Sequence, residues 1–539
     1  MKHLLVFLML FMGVTLNAQW VSDPTVNTPL VTGNYDEFSP IMVPCAGGFY
    51  VVYKRDNFLV PAYFVQRFNV LGYPCWQAPI RIIDTLYEQD DNAVAFSDGK
   101  QGVVIGMGVW LDRERIIAQR IDSNGARRFG NNGTLLCTAS STQKNPEGII
   151  LDDSLIFFAW EDYRASENDV YGAMLDMNGN LKWSSSGKAL CTAGGTQRDI
   201  ALARGNNSII LVWRDERSSA PGIYAQRVSA EGTTMWQING NKVGLDYNPY
   251  NVHVLATTFG IYIGWTGITD FGSYPDIRFR KTTWNGDTLL ERRFVTHGVQ
   301  KNIQFFFVPD STLRFLALYE QNDSLMAGSF YDDTVTQLHS SLLVKQSEPH
   351  YAFARSDTAL TVVWEDTRFG GKDIYGQSFN LFSLQRLWEQ GGVPISLRSG
   401  NQTNPAIVPI ENGYVVVFQT PTNLQSDIYG QKLNQDGTLG MITNVNGEEN
   451  KPRTSELLQN YPNPFNPITT IHYVLPRTTF VTLKVFNVIG QEVATLVREQ
   501  KESGNQSVVF DASLLTSGIY YYCLSTDYFT ETKKMVLVK

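Results

Sequence analysis

Three copies of Trp-Xaa-Asp-Xaa-Arg hold the densest chemistry in the chain: Trp160-Glu-Asp162-Tyr-Arg164, Trp213-Arg-Asp215-Glu-Arg217 and Trp364-Glu-Asp366-Thr-Arg368. An acid and an arginine two residues apart can serve a catalytic centre or a structural clip. Recurrence decides between them. One active site needs one constellation, whereas a scaffold needs the same clip in each repeat. An Asp accepts backbone N–H bonds in a tight loop, and an Arg bridges a carboxylate with a bidentate fork. The expected role is therefore structural. Asp169, Asp373 and Asp427, at the start of the next strand, are read the same way, and Tyr171, Tyr224, Tyr375 and Tyr429 are expected to pack between sheets.

Other chemistries find little support. His3, His253, His297, His339, His350 and His472 lack short ligand spacing, and no loop alternates acids densely enough for an EF-hand type calcium site. No metal or cofactor is expected. A Gly-Xaa-Ser-Xaa-Gly elbow, a P-loop and a dinucleotide fingerprint are all missing. Sialidase boxes and the repeated Trp motif of quinone-dependent dehydrogenases are not evident. Fifty-two acids leave distant carboxylate pairs open, so a polysaccharide-degrading enzyme is the alternative to a binding or structural role. Two segments break the repeat and are the places to look for function: residues 54–72, with Tyr63, Phe64 and Arg67, and residues 266–274. The expected ligand is a glycan or a surface protein.

The elements that position these residues recur about every fifty residues, which is propeller spacing. Anchor aromatics stand at Tyr53, Trp110, Trp160, Trp213, Trp265, Tyr319, Trp364 and Phe418. Each unit offers four candidate strands: an apolar strand, the strand ending in the anchor, a strand of the Asp-Ile-Tyr-Gly-Gln type, and a strand following a Trp. Asn-Gly and Asp-Gly pairs at 178–179 and 436–437 supply hairpin turns. The expectation is an all-β chain: an eight-bladed β-propeller over residues 19–443, with seven blades as the alternative. Trp20 and the segment after it look like the segment after Trp388, so the N-terminal strand is expected to complete the last unit. That arrangement leaves no exposed edge.

Composition agrees. Thirty Phe, 25 Tyr, 11 Trp and 44 Gly suit strands and tight turns, and a net charge of −8 with no basic stripe excludes nucleic acid. Five Cys do not make a disulfide scaffold. Cys45 and Cys75 could pair in an oxidising compartment. Cys137 and Cys191, equivalent in neighbouring repeats, fit a buried slot, and Cys523 is read as a core residue.

Residues 1–18 have the basic start, short apolar run and small-residue end of a signal peptide, and no stretch is long enough for a stable transmembrane segment. At the other end, Tyr461-Pro462-Asn463-Pro464-Phe465 opens a strand-rich tail with a turn at Gly490, a Ser-Gly518-Ile-Tyr strand and a basic close at Lys533, Lys534 and Lys539. Residues 457–539 resemble the type A C-terminal sorting domain of the type IX secretion system, a family found in Bacteroidetes, Chlorobi and their relatives. The resemblance implies a small immunoglobulin-like β-sandwich that engages the secretion machinery, passage through the periplasm, and a final place at the cell surface or outside it. It also implies removal of the tail, with the polar linker at 444–456 as the expected cut region.

Overall fold

The computed structural model describes residues 20–440 and 456–539, apart from 57–59, 86–88, 220, 269–275, 295–299, 309–313, 322–323, 332–338, 346–349, 422–424, 461–462, 476–477, 503 and 528. The signal peptide, nearly all of the linker, Tyr461 and Pro462, and most of the divergent segment 266–274 lie outside the described residues.

Short apolar runs rich in aromatic and β-branched residues, closed by tight turns, form strands throughout. Eight four-stranded antiparallel sheets succeed one another along the body. The first holds Asp36–Cys45, Gly48–Asp56, Ala62–Asn69 and Ile80–Arg81, and the second Gln89–Ser97, Val103–Trp110, Glu114–Ile121 and Thr134–Leu135. The third runs from Gln143–Asp152 through Leu155–Asp162 and Asp169–Asp176 to Lys188–Cys191; the fourth holds Gln197–Gly205, Ser208–Asp215, Gly222–Ser229 and Asn241–Leu245. The fifth and sixth span Tyr247–Thr257 to Thr288–Phe294 and Gln300–Val308 to His339–Lys345, and the seventh runs from Tyr351–Arg355 to Val393–Ser396. The eighth draws three strands from Thr403–Ile410, Gly413–Pro421 and Ser426–Asn434, and its fourth from Thr28–Val31 near the N-terminus. This is the strand exchange expected from the likeness between Trp20 and Trp388.

The sheets stack face on face, and the anchors do the stacking. Trp160 of the third sheet packs with Val104 and Ile116 of the second; Trp213 packs with Phe157 and Ala159 of the third; Trp265 packs with Ile210 and Val212 of the fourth. Trp364 meets Leu318 and Leu325 of the sixth sheet, and Phe418 meets Val363 and Ile374 of the seventh. Tyr53 and Phe49 of the first sheet pack with Val415 and Val417 of the eighth, so the last sheet lies against the first. Burying a large apolar side chain of this kind contributes about 2–3 kcal/mol.

Indole staples tie the outer strands together. Trp183 Nε1 donates to Ala230 O at 2.9 Å, Trp236 to Trp284 O at 3.1 Å and Trp388 to Gln435 O at 2.9 Å, each reaching a hairpin of the next sheet. Each hairpin turns on a glycine in the left-handed region that lies against the incoming indole, as Gly437 (φ 88°) lies against Trp388. Trp20 makes the same bond across the last junction, to Val70 O at 2.8 Å in the first sheet.

The tail has seven strands in two sheets, Glu456–Leu457, Ile468–Leu475 and Gly504–Asp511 in one, and Glu492–Lys501, Thr479–Asn487, Gly518–Ser525 and Thr530–Leu537 in the other. Their inner residues share one core that includes Phe465, Ile471, Tyr473, Val485, Tyr522 and Met535. The segment at Asn463 and Phe465 is fixed to the final strand: Asn463 Oδ1 accepts from Val536 N at 2.8 Å and Phe465 N donates to Val536 O at 2.9 Å. Gly490 closes the turn at φ 80°, its N–H donating to Asn487 O at 3.0 Å. Cys523 is not a core residue. Alternation turns Tyr520, Tyr522 and Leu524 inward and leaves Cys523 half-buried on the other face. Cys45 and Cys75 are both free thiols. No helix among the described residues is long and apolar enough to cross a membrane.

Candidate functional site

The repeated Trp, Asp and Arg meet in three matching units. In the third sheet Trp160 Nε1 donates to Asp162 Oδ2 at 3.0 Å, while Arg164 sends Nε to Oδ1 and Nη2 to Oδ2, both at 2.8 Å. The Arg164 guanidinium lies 3.6 Å from the centre of the Tyr171 ring, and Nη2 also donates to Ser186 O at 2.9 Å. Asp215 takes Trp213 Nε1 at 2.8 Å and Arg217 Nε at 2.8 Å, with Arg217 3.8 Å over Tyr224. Asp366 takes Trp364 Nε1 at 2.9 Å and Arg368 Nε at 2.8 Å, with Arg368 4.0 Å over Tyr375. Cys137 and Cys191 are buried beside these units, each accepting from the arginine at 3.3 Å. Burial alone would raise the Asp162 carboxyl, but bonds from Arg164, Trp160 and Ser141 outweigh it and hold the group below its ordinary range. Asp366 is held down in the same way by Arg368 and Trp364.

Trp110 does not take the anchor place. Pairing puts Met107 opposite Ile117, as Trp160 stands opposite Tyr171, and Trp110 falls three residues further on, at the strand end, 49% exposed. Two further clips use residues that no short motif joins. Trp265 Nε1 donates to Asp246 Oδ2 at 2.5 Å and Arg278 reaches Asp246 at 2.7 Å, the acid arriving from the preceding connection. In the first sheet Arg55 sits where the third has Asp162, bonds Glu37 Oε1 at 2.9 Å, and lies 4.6 Å over Phe64.

The divergent segment 54–72 is largely framework. Tyr63 is buried, Phe64 lies under Arg55, and Arg67 is bonded to Ala46 O and Ser123 O.

Residues that converge stand elsewhere, on the first strand of each sheet. In seven of the eight sheets the pairing of that strand slips near its start, at 38–41, 89–93, 144–147, 198–201, 250–253, 301–304 and 403–406. The residue at each slip is polar: Ser39, Asn92, Asn145, Asp199, Asn251, Asn302 and Asn404, with His350 at the matching place of the seventh sheet. Ser39, Asn145, Asp199, Asn251 and Asn404 adopt φ between 50° and 55°, a region tolerated by short polar side chains. Ser39, Asn92, Asn145, Asp199, His350 and Asn404 are exposed. These residues reach one another across sheets. Asn92 Nδ2 donates to Asn145 Oδ1 at 2.9 Å, and Asn145 Nδ2 to Glu161 Oε1 at 3.0 Å. Glu365 Oε1 accepts from Asn404 N at 2.9 Å, one sheet along. Among the described residues the first strands lie side by side at seven of the eight junctions, including Thr403–Ile410 of the eighth sheet against Asp36–Cys45 of the first. Polar side chains therefore gather where neighbouring first strands begin.

The antiparallel order puts three other features at that same end of each sheet: the clips, the connection from second to third strand, and the connection leading in from the preceding sheet. Trp110, Tyr163 and Phe369 (75% exposed) stand on the second-to-third connections or their edges, and exposed Tyr35 stands on the connection into the first sheet.

Two titratable groups lie two residues inside the slip. Glu147 is reached by water yet crowded by protein, and this desolvation pushes its carboxyl up to about 7. His253, half-buried at the matching place in the fifth sheet, is pushed down to about 4 by burial. Among the described residues no three His, Cys, Asp or Glu come together to hold a metal ion.

These polar slip residues were missed at the sequence level, although Ser39-Pro40, Asn145-Pro146 and Asn404-Pro405 repeat a readable signal. Pro removes a ladder donor and marks the break in pairing.

Residues 459–539 match the family of secretion system C-terminal sorting domains. The tail thus carries the type IX export signal, and the chain is sent to the cell surface or the medium. No curated protein matches the chain in sequence. Among solved structures, a puromycin-hydrolysing peptidase from Mycobacterium tuberculosis is 10% identical with a TM-score of 0.43, covering 75% of this chain and 61% of its own. The chain thus spans about three fifths of that peptidase's length. An exo-β-1,3-galactanase from Phanerochaete chrysosporium is 11% identical with a TM-score of 0.27, covering 66% of this chain and 98% of its own. A glycosyl hydrolase from Bacteroides ovatus is 11% identical with a TM-score of 0.27, covering 60% of this chain and 94% of its own. At these scores none of the three bears on activity.

Proposed function

We propose that the exported body is an eight-bladed β-propeller that binds a glycan at the end where its innermost strands begin, followed by an immunoglobulin-like sandwich that serves only export. One observation carries this reading: the gathering of exposed Ser39, Asn92, Asn145, Asp199 and Asn404 on the slips of first strands, with His350 at the matching place of the seventh sheet. Asn side chains both donate and accept, which suits the paired hydroxyls of sugars. Recurrence does not count against function here. The clips stand apart, one to a sheet, whereas the slip residues converge. Trp110, Tyr163 and Phe369 offer apolar faces at the same end, of the kind on which sugar rings stack. The clips are structural in this reading: they brace the connections that hold those aromatics. A surface protein is the other ligand the same face would accept.

The test is a glycan-array screen of the purified chain, followed by reducing-sugar release on any hit. Binding without release is the expected result. No glycan binding would overturn the reading and turn attention to protein ligands.

A second reading, hydrolysis, rests on Glu147, an unrepeated acid raised to about 7, the range of a general acid. Sugar release abolished by Glu147→Gln would establish it. Binding with no release would remove it.

A further inference from the structure

The junction of the eighth sheet with the first differs chemically from its counterparts. Gln143, Gln197 and Gln402 stand two residues before the slip residues Asn145, Asp199 and Asn404. All three are fully buried, and each donates Nε2 to a carbonyl just upstream: Ser141 O at 2.6 Å, Gly195 O at 2.7 Å and Gly400 O at 2.9 Å. Across the junction, Gln197 N donates to Asn168 O at 2.9 Å beside Asp169, and Gln402 N donates to Lys372 O at 2.7 Å beside Asp373. Glu37 occupies the equivalent place before Ser39, also fully buried, and faces Asp427. An acid thus stands where those three junctions have an amide.

The geometry brings two buried carboxyls together. Gly33 lies against both acids: its N–H donates to Asp427 Oδ1 at 3.3 Å, and a Cβ placed on it would stand 3.4 Å from Glu37 Oε1. Arg55 Nε donates to Glu37 Oε1 at 2.9 Å, while Glu37 Oε2 is buried with no donor, as are Oε1 of Gln143, Gln197 and Gln402; what sets Glu37 apart is that its orphaned oxygen belongs to an acid beside a second acid. Two ionised carboxylates can only accept, so they cannot satisfy Oε2 between them. A proton on Glu37 turns it into a donor for the neighbouring Asp427, with Gly33 lying against both. The other charged and titratable groups at the junction are few. Arg55 and Tyr53 come from Gly48–Asp56, with Arg55 Nη2 donating to the Tyr53 hydroxyl at 3.1 Å. Arg398 follows Val393–Ser396 and attracts Asp427. Asp36, on the same strand as Glu37, accepts from Ser426 N at 2.6 Å.

We propose that one proton shared between Glu37 and Asp427 latches the first sheet to the eighth, and that this closing junction loosens as pH rises while the glutamine junctions do not. Burial outweighs the opposing pull of Arg55 and, with the neighbouring Asp427, pushes Glu37 up to about 7; Asp427 is raised as well, first by burial. The sign follows. An acid raised from its ordinary 4.5 to about 7 in the folded chain contributes stability that is complete below 4.5 and lost as pH climbs through about 7.

Urea denaturation of the full chain at pH 5, 6, 7 and 8 tests the latch, comparing the unchanged protein with Glu37→Gln and Asp427→Asn. Glu37→Gln rebuilds the pattern of the other junctions. Asp427→Asn supplies a donor of its own and frees Glu37 to ionise. Between pH 5 and 8 the unfolding equilibrium of the unchanged chain should shift more than that of either variant, by between about tenfold and about 300-fold. Glu37→Gln should be at least as stable as the unchanged chain at pH 8. Parallel pH profiles for all three proteins would overturn the latch. So would a Glu37→Gln chain that fails to fold, because glutamine already fills this place in three other junctions.

Discussion

Asp162 shows what a single side chain does in this architecture. Its two oxygens take an indole N–H, both arms of Arg164, a backbone N–H and the Ser141 hydroxyl. A carboxylate is needed because every partner donates. Asp162→Asn turns one acceptor into a donor facing Arg164 and Trp160, and should cost about 2–3 kcal/mol of stability by urea denaturation. A loss under about 0.5 kcal/mol would show that the clip is ornamental to folding. Because Asp162 is held below its ordinary range, its contribution is present above pH 4 and fades as pH falls below that range. The Glu37 latch has the opposite sign, so the two residues bracket a window of greatest stability on the acid side of neutrality.

Strands and their junctions explain both what the sequence reveals and what it hides. Runs such as Leu155-Ile-Phe-Phe-Ala-Trp160 announce a buried strand because period, composition and turn signals agree. Trp20 announced its partnership with the last sheet through local similarity, and its indole bond to Val70 O repeats the bond of Trp388 to Gln435 O. The tail was legible for the same reason, its strands being short and regularly punctuated. What local patterns cannot carry is a clip assembled from distant residues, as in Trp265 with Asp246 and Arg278. Trp110 misled because an aromatic at roughly the right spacing imitates an anchor, whereas pairing gives that place to Met107. The polar slip residues were hidden because they change identity, from Ser to Asn, Asp and His, while keeping their place. Trp20→Ala should remove both a buried indole and the closing staple, costing about 3–5 kcal/mol by urea denaturation, as at other buried tryptophans. A cost below about 1 kcal/mol would mean that the N-terminal segment does not hold the eighth sheet to the first.

At the scale of the whole molecule, two jobs are divided between two bodies of unequal size. The tail carries the address, and its small core of inward-turned Tyr473, Tyr522 and Met535 folds around a segment fixed to the final strand. The larger body repeats one sheet eight times among the described residues and sets the starts of neighbouring first strands beside one another, which under the proposed function is how many weak polar contacts would face one ligand. Binding of the proposed kind, by amides and aromatics, would tolerate variation in any one member, in keeping with the mixed identities of the slip residues. Hydrogen–deuterium exchange on the full chain, with and without the strongest glycan-array hit, tests that claim most directly. Protection confined to the slips at Ser39, Asn145, Asp199 and Asn404 and to the connections bearing Trp110, Tyr163 and Phe369 is the predicted result. Protection at the opposite hairpin end, around Gly179 and Gly437, would contradict the account.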